Sequence, residues 1–181
     1  MKNIKDLLKA VSNNEKSNII FGENKVIFVT GGPGSGKDVI IREIISKMEI
    51  TEMNHMQVFN YLTDSRKLKE KSADLRRESI RSHLPLIINA PADDKDKIFF
   101  IKESLEEKGY TSLMIFVDTT NEASKQRNEK LTKMIAESVR KEKWDLAQSS
   151  KEAYRQNFKS FIDFDNSASV EDIEEEIKEN I

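Results

Sequence analysis

The sequence predicts an α/β fold built on a parallel sheet, and two observations carry that prediction. Short continuous apolar runs alternate with longer segments of helical periodicity, and the first run turns into its helix through a glycine-rich loop. A strand covered on both faces reads as a continuous apolar run, and Val26-Ile27-Phe28-Val29-Thr30 is of that type.

Taken in order, Ile4, Leu7, Leu8 and Val11 recur at helical spacing before the polar stretch Ser12 to Asn18. Residues 1–24 are therefore expected to form an accessory helix and linker, and residues 25–181 the main domain. After the glycine-rich loop, Val39, Ile40, Ile41, Ile44, Ile45 and Met48 suit a buried helix. Later strands are expected at about 56–62, 85–90, 113–118 and 161–165. Helices fall at about 66–82, 94–107, 121–143 and 147–160. A last helix at 170–179 starts from Ser169, with Asp172 in capping-box position.

Bulk composition narrows the function classes. The 181 residues suit one domain, and 37% apolar content is enough for a core. Charged residues make up 34% of the chain but cancel to a net charge of −2, so no global basic field gathers nucleic acid. Without cysteine there are neither disulfides nor thiolate metal sites, and a reducing, cytoplasmic setting is the expectation. No apolar run approaches the roughly 20 residues that span a bilayer, and Met1-Lys2-Asn3-Ile4-Lys5-Asp6 lacks a signal-peptide core. A soluble chain with no membrane partner is expected.

Gly31-Gly32-Pro33-Gly34-Ser35-Gly36-Lys37 satisfies G-x-x-x-x-G-K between an apolar strand and an apolar helix, the context that makes the motif specific. Glycines let successive backbone N–H groups turn inward on an anion, and the helix start adds its positive dipole end. The nucleotide-binding set is therefore Gly32, Pro33, Gly34, Ser35, Gly36, Lys37, Asp38 and Val39, with Lys37 reaching the β- and γ-phosphates of a nucleoside triphosphate.

Asp38 stands where a serine or threonine hydroxyl normally ligates Mg²⁺. On the adjacent strand Leu86-Ile87-Ile88-Asn89-Ala90, Asn89 takes the place of the usual metal-side aspartate. Together they suggest a displaced charge, with the acid on the loop and an amide on the strand. Asp118, at the end of Leu113-Met114-Ile115-Phe116-Val117, and the cluster Asp93, Asp94 and Asp96 are rivals for the metal acid.

Transfer to a hydroxyl needs a carboxylate to take its proton, and Asp64 follows the second strand at the ligand-binding edge of the sheet. Arg66 beside it suits an anionic group on the acceptor, while Arg76, Arg77 and Arg81 suit a solvated helix face. A lid after the fourth strand would supply Lys125, Arg127 or Arg140 to the transferred phosphoryl group. On one straight helix Arg127 and Arg140 point about 140° apart, and no glycine or proline follows Gly109 to break it. Leu131, Met134, Ile135 and Val139 are taken as the buried stripe, which favours Arg127. Trp144 suits the core better than a stacking role, and His55 and His83 have no metal-site spacing.

In these pieces the chain resembles the zeta-toxin and polynucleotide-kinase group of P-loop kinases. The resemblance runs over residues 25–166 through GGPGSGK at 31–37, Asp64-x-Arg66, LPLIINAP at 84–91, LEEKGYTSLMIFVDTT at 105–120 and SKQRNEK at 124–130. The stretches LMIFVDTTNEASKQRN and FIDFDNS also resemble P-loop kinase-like proteins of tailed phages. What the resemblance implies is a three-layer fold with a five-stranded parallel sheet in the order 2-3-1-4-5 and ATP with Mg²⁺ as donor. It also implies Asp64 as base, Arg66 at the acceptor, Arg127 in the lid and Asn166 near the nucleotide base. Asp38 and Asn89 depart from that pattern. Two functions follow as expectations: phosphotransfer from ATP to a hydroxyl of a small molecule, nucleotide or nucleic-acid end, or an ATP-binding module without transfer.

Overall fold

The computed structural model describes residues 24–48, 57–60, 74 and 76–167. In chain order the elements are β1 (Lys25–Gly31), α1 (Lys37–Met48), β2 (Gln57–Asn60), β3 (Leu86–Pro91), α2 (Lys95–Glu106), β4 (Thr111–Asp118), α3 (Asn121–Glu129), α4 (Glu137–Asn157) and β5 (Ser160–Asp165). Residues 76–81 are also helical. The strands form a sheet in the order β2-β3-β1-β4-β5, and every neighbouring pair is parallel. The parallel α/β architecture expected from alternating strand and helix patterns is thus present.

Alternation along β1 explains its continuous apolar run. Val26 and Phe28 face one core with Leu86, Ile88, Met114, Phe116, Ala147 and Tyr154, while Ile27 and Val29 face a second with Ile40, Ile41, Ile44, Ile87 and Ile115. α1 covers the second face; α2 and α4 cover the first. Register then sets the site. Asn89 lies level with Val29 and Pro91 with Gly31, so β3 ends beside the turn that leaves β1.

The segment after β4 departs from expectation. Instead of helices at 121–143 and 147–160, α3 ends at Glu129, an irregular link covers 130–136, and α4 runs unbroken from Glu137 to Asn157. No glycine or proline makes the break. Asn128 makes it: its amide donates to Ile135 O at 2.7 Å and accepts from Ile135 N at 3.0 Å, so a side chain takes over the pairing of a backbone group. The expected apolar stripe is correspondingly turned outward, with Leu131, Met134, Ile135 and Val139 between 38% and 65% exposed. In their place α4 buries Arg140, Ala147, Ser150 and Tyr154, spaced for one helical face.

The expected helix at 1–24, the final helix at 170–179 and the start of the helix at 66–82 lie outside the described residues. Among the described residues no helix is long and apolar enough to cross a membrane.

Candidate nucleotide site

The loop from Gly31 to Gly36 joins the buried end of β1 to the first turn of α1. Gly34 and Gly36 adopt φ of 69° and 82°, a region open to glycine and strained for other residues. Space is equally restrictive, because a Cβ on Gly36 would lie 2.5 Å from Asn166 Nδ2 and one on Gly34 would lie 2.8 Å from Ser124 O. The turn is held by Ser35 N donating to Gly32 O at 3.2 Å and Val39 N to Gly36 O at 2.9 Å. Ser35 Oγ is buried with no partner among the described residues, a polar group suited to a ligand.

A loop that turns its N–H groups inward must turn carbonyls outward, and those carbonyls need donors. Three consecutive ones receive them from side chains: Ser124 Oγ donates to Pro33 O at 2.7 Å, Arg127 Nη1 to Gly34 O at 3.0 Å, and Asn166 Nδ2 to Ser35 O at 2.7 Å. Arg127 Nη2 also donates to Asn166 O at 2.7 Å. Thus Arg127, expected at the transferred phosphoryl group, directs its guanidinium at the outer side of the loop. Asn166, expected near the nucleotide base, lies against the same side.

Behind this row stands Arg140, which is fully buried. Its guanidinium donates to Ser124 Oγ, Asn121 Oδ1 and both Glu137 carboxylate oxygens, each at 2.7 Å. α4 also packs Trp144 and Ala147 against the loop, where a Cβ on Gly32 would meet them at 3.5 and 3.4 Å. The Trp144 indole donates to Thr119 O at 3.0 Å, and the half-buried ring lies outside both core clusters, against the loop rather than in the expected core.

The opposite side of the loop carries the charges. Asn89 Nδ2 donates to Asp38 Oδ1 at 2.8 Å, so the loop acid and the strand amide singled out in the sequence are in direct contact. An ionised carboxylate only accepts, which obliges Asn89 to present its NH₂ group. Burial pushes Lys37 below the ordinary lysine range, and the nearby charges of Asp38 and Asp93 pull it back upward. A cavity of about 260 Å³ opens here, lined by Gly31, Gly32, Pro33, Lys37, Pro91, Ala92, Asp93, Ile135 and Lys143. Within it Lys143 Nζ bonds Asp93 Oδ2 at 2.7 Å.

Other candidates for the metal acid have other work. Asp118 accepts from Thr119 N at 2.8 Å, Gln148 at 2.7 Å and Lys151 at 2.5 Å. Burial raises its carboxyl, but those bonds outweigh burial and hold it below the usual aspartate range. Asp94 caps α2 by accepting from Lys97 N at 3.2 Å. Among the described residues no three His, Cys, Asp or Glu side chains gather to hold a metal. Mg²⁺ in nucleotide sites relies on one or two carboxylates, water and substrate phosphates, so Asp38 alone fits that ion. Asp64 and Arg66 lie outside the described residues.

Sequence reasoning missed Lys143 and Ser124, and it offered Arg140 to a lid rather than to the buried network behind the loop. Ser124, Arg127 and Asn128, spaced three and one apart on α3, formed a polar helical face whose signal was readable. The burial of Arg140 left none, because an isolated arginine in a polar helix reads as exposed.

No protein-family model matches the chain, and no curated protein matches it. Among solved structures, it is similar to Chaetomium thermophilum Kti12 in complex with ADP-AlF3, with a TM-score of 0.53 and 14% identity over 86% of this chain and 96% of that one. It is also similar to a structure of the PezAT chromosomal toxin-antitoxin system of Streptococcus pneumoniae, with a TM-score of 0.53 and 14% identity over 94% of this chain and 83% of that one. The fold of this chain is therefore the parallel α/β fold that those two structures share with it.

Proposed function

We propose that this protein is a Mg²⁺-dependent kinase that moves the γ-phosphate of ATP to the hydroxyl of an acceptor. The observation that carries the reading is the Asp38–Asn89 contact at 2.8 Å, at the mouth of a loop shaped for phosphates. In phosphate-loop enzymes a hydroxyl on the loop and an acid on a strand flank the metal. Here the acid and the neutral partner have exchanged places while remaining in contact, which keeps one negative charge at the spot. A chain that merely lost its metal site has no reason to keep an acid there, since a bare carboxylate repels a triphosphate.

In this reading the N–H groups of Gly34, Gly36, Lys37 and Asp38, those of Ser35 and Val39 being bonded within the turn, and the Lys37 ammonium hold the β- and γ-phosphates. Asp38, whose carboxylate Asn89 orients, would hold Mg²⁺, which would supply charge neutralisation for the phosphates. Asp64 takes the acceptor's proton and Arg66 holds an anionic group on the acceptor. Arg127 and Asn166 keep the loop in shape. The near-balanced charge of the chain favours a small acceptor over nucleic acid.

Transfer of radiolabelled γ-phosphate, measured against Mg²⁺ concentration with an EDTA control, tests the reading. Asp38→Ser should reduce Mg²⁺-dependent turnover about 10- to 100-fold. Asp38→Ser combined with Asn89→Asp should recover part of it by restoring the usual arrangement. Full activity in Asp38→Ser sinks the metal assignment. ATP binding with no γ-phosphate release in the wild type would favour a nucleotide-binding module instead.

A further inference from the structure

Neither Arg127 nor Arg140 is directed at the cavity beside Lys37, yet the transferred group needs a cation opposite Lys37. Arg127 donates to Gly34 O and Asn166 O, and Arg140 is buried among Glu137, Asn121 and Ser124. Lys143 is the cation from this segment that lines the cavity beside Lys37. We propose that Lys143, aimed by Asp93, contacts the γ-phosphoryl group of the bound nucleotide. This rests on the phosphotransfer reading only for its catalytic consequence; the contact itself requires nothing beyond triphosphate binding.

Both partners are fixed from behind. Asp93 follows the end of β3, where Ala92 N donates to Gly31 O at 3.3 Å and Tyr154 Oη donates to Ala92 O at 3.0 Å, tying the segment to the loop and to α4. Lys143 lies one turn beyond the anchored Arg140 and next to Trp144, which packs on Gly32. Its ammonium is held by Asp93 in the lining of the cavity that Lys37 also lines.

The Asp93–Lys143 pair differs from an ordinary surface ion pair. The Asp93 side chain is only 15% exposed, while that of Lys143 is 46% exposed. Asp93 Oδ1 is buried with no partner among the described residues, and Oδ2 is bonded to Lys143. Oδ2 of the carboxylate holds the Lys143 ammonium, which makes Asp93 a positioning residue for that cation. An ammonium has three protons, and Asp93 uses one. Two remain for phosphate oxygens. The cavity's charged lining of two lysines and one aspartate also leaves a net positive charge to receive the terminal phosphate.

Calorimetric titration of the full chain with ADP and with the β,γ-imido analogue of ATP, both with Mg²⁺, reads the contact without turnover. Lys143→Met should weaken the triphosphate analogue about tenfold and leave ADP within about twofold, because ADP has no γ-phosphate. Lys143→Arg should retain most of the preference, and Asp93→Asn should lose part of it. In the transfer assay Lys143→Met should lower kcat more than it raises the KM of an excess acceptor. Equal weakening of both nucleotides, or none, overturns the contact. Wild-type protein that binds neither nucleotide overturns both proposals; a preserved triphosphate preference without transfer overturns the kinase reading alone.

Discussion

The two sides of the phosphate loop are built from opposite materials. On the outer side, three carbonyls in a row meet Ser124, Arg127 and Asn166, and Arg140 stands behind them with each of its three guanidinium nitrogens engaged. On the inner side, Lys37, Asp93 and Lys143 line a cavity of about 260 Å³, and Asp38, next to Lys37 in the chain, is bonded to Asn89. Inward N–H groups require outward carbonyls, so the donors behind the loop are as necessary to anion binding as the groups in front. An arginine near such a loop is therefore not evidence of catalysis by itself. The atoms that receive its protons decide, and for Arg127 these include loop carbonyls.

The strongest way to break this division is to remove Arg140. Arg140→Met takes four short bonds from a fully buried position and leaves Glu137, Asn121 and Ser124 without their donor. A loss of about 3 kcal/mol is expected, which for a chain of this size lowers Tm by roughly 10 °C. Urea and thermal unfolding read it. An unchanged Tm would mean that the network behind the loop contributes little.

A smaller and sharper contrast comes from Arg127→Gln. The guanidinium supports the loop's shape, on which every phosphate contact depends, so ADP and the triphosphate analogue should both weaken, by about tenfold. That pattern is the opposite of the one expected for Lys143→Met. Loss confined to the triphosphate would move Arg127 to the inner side and restore its expected role at the transferred phosphate.

The difference between the two sides also explains what the sequence made legible. A strand between two cores must be apolar throughout, and only glycine fits Gly34 and Gly36, so β1, the loop and α1 stand out without any structure. Asp38 and Asn89 were noticeable because each departs from a motif with assigned chemistry. Nothing comparable marked α3 and α4. Their separation depends on Asn128 pairing with the backbone of Ile135, a contact between residues seven apart that apolar periodicity does not register. Once that break is missed, the burial phase of the following helix is lost. Leu131, Met134 and Val139 are then assigned inward and Arg140 outward, the reverse of what the packing requires.

The smallest expected effect concerns Asp118, the strand-end acid that rivalled Asp38 for the metal. Its carboxylate is tied to Thr119 N, Gln148 and Lys151, and Lys151 also reaches Asp163 at 2.9 Å, all on the structural side. Because the folded carboxyl lies below its unfolded value, its contribution is present above about pH 4 and is lost as pH falls through the folded pKa. Burial lowers Lys151, but its bonds to Asp118 and Asp163 outweigh that and raise it. Its contribution is therefore present below about pH 10 and is lost as pH rises through the folded value. Asp118→Asn should cost about 1 kcal/mol at pH 7, or roughly 3 °C in Tm, and should flatten the acid limb of the stability profile. Nucleotide affinity and its Mg²⁺ dependence should stay unchanged, since neither Asp118 nor the groups that hold it line the cavity. A change in Mg²⁺ dependence would instead assign Asp118 to the metal, and the division between a supporting side and a reacting side would fail at that residue.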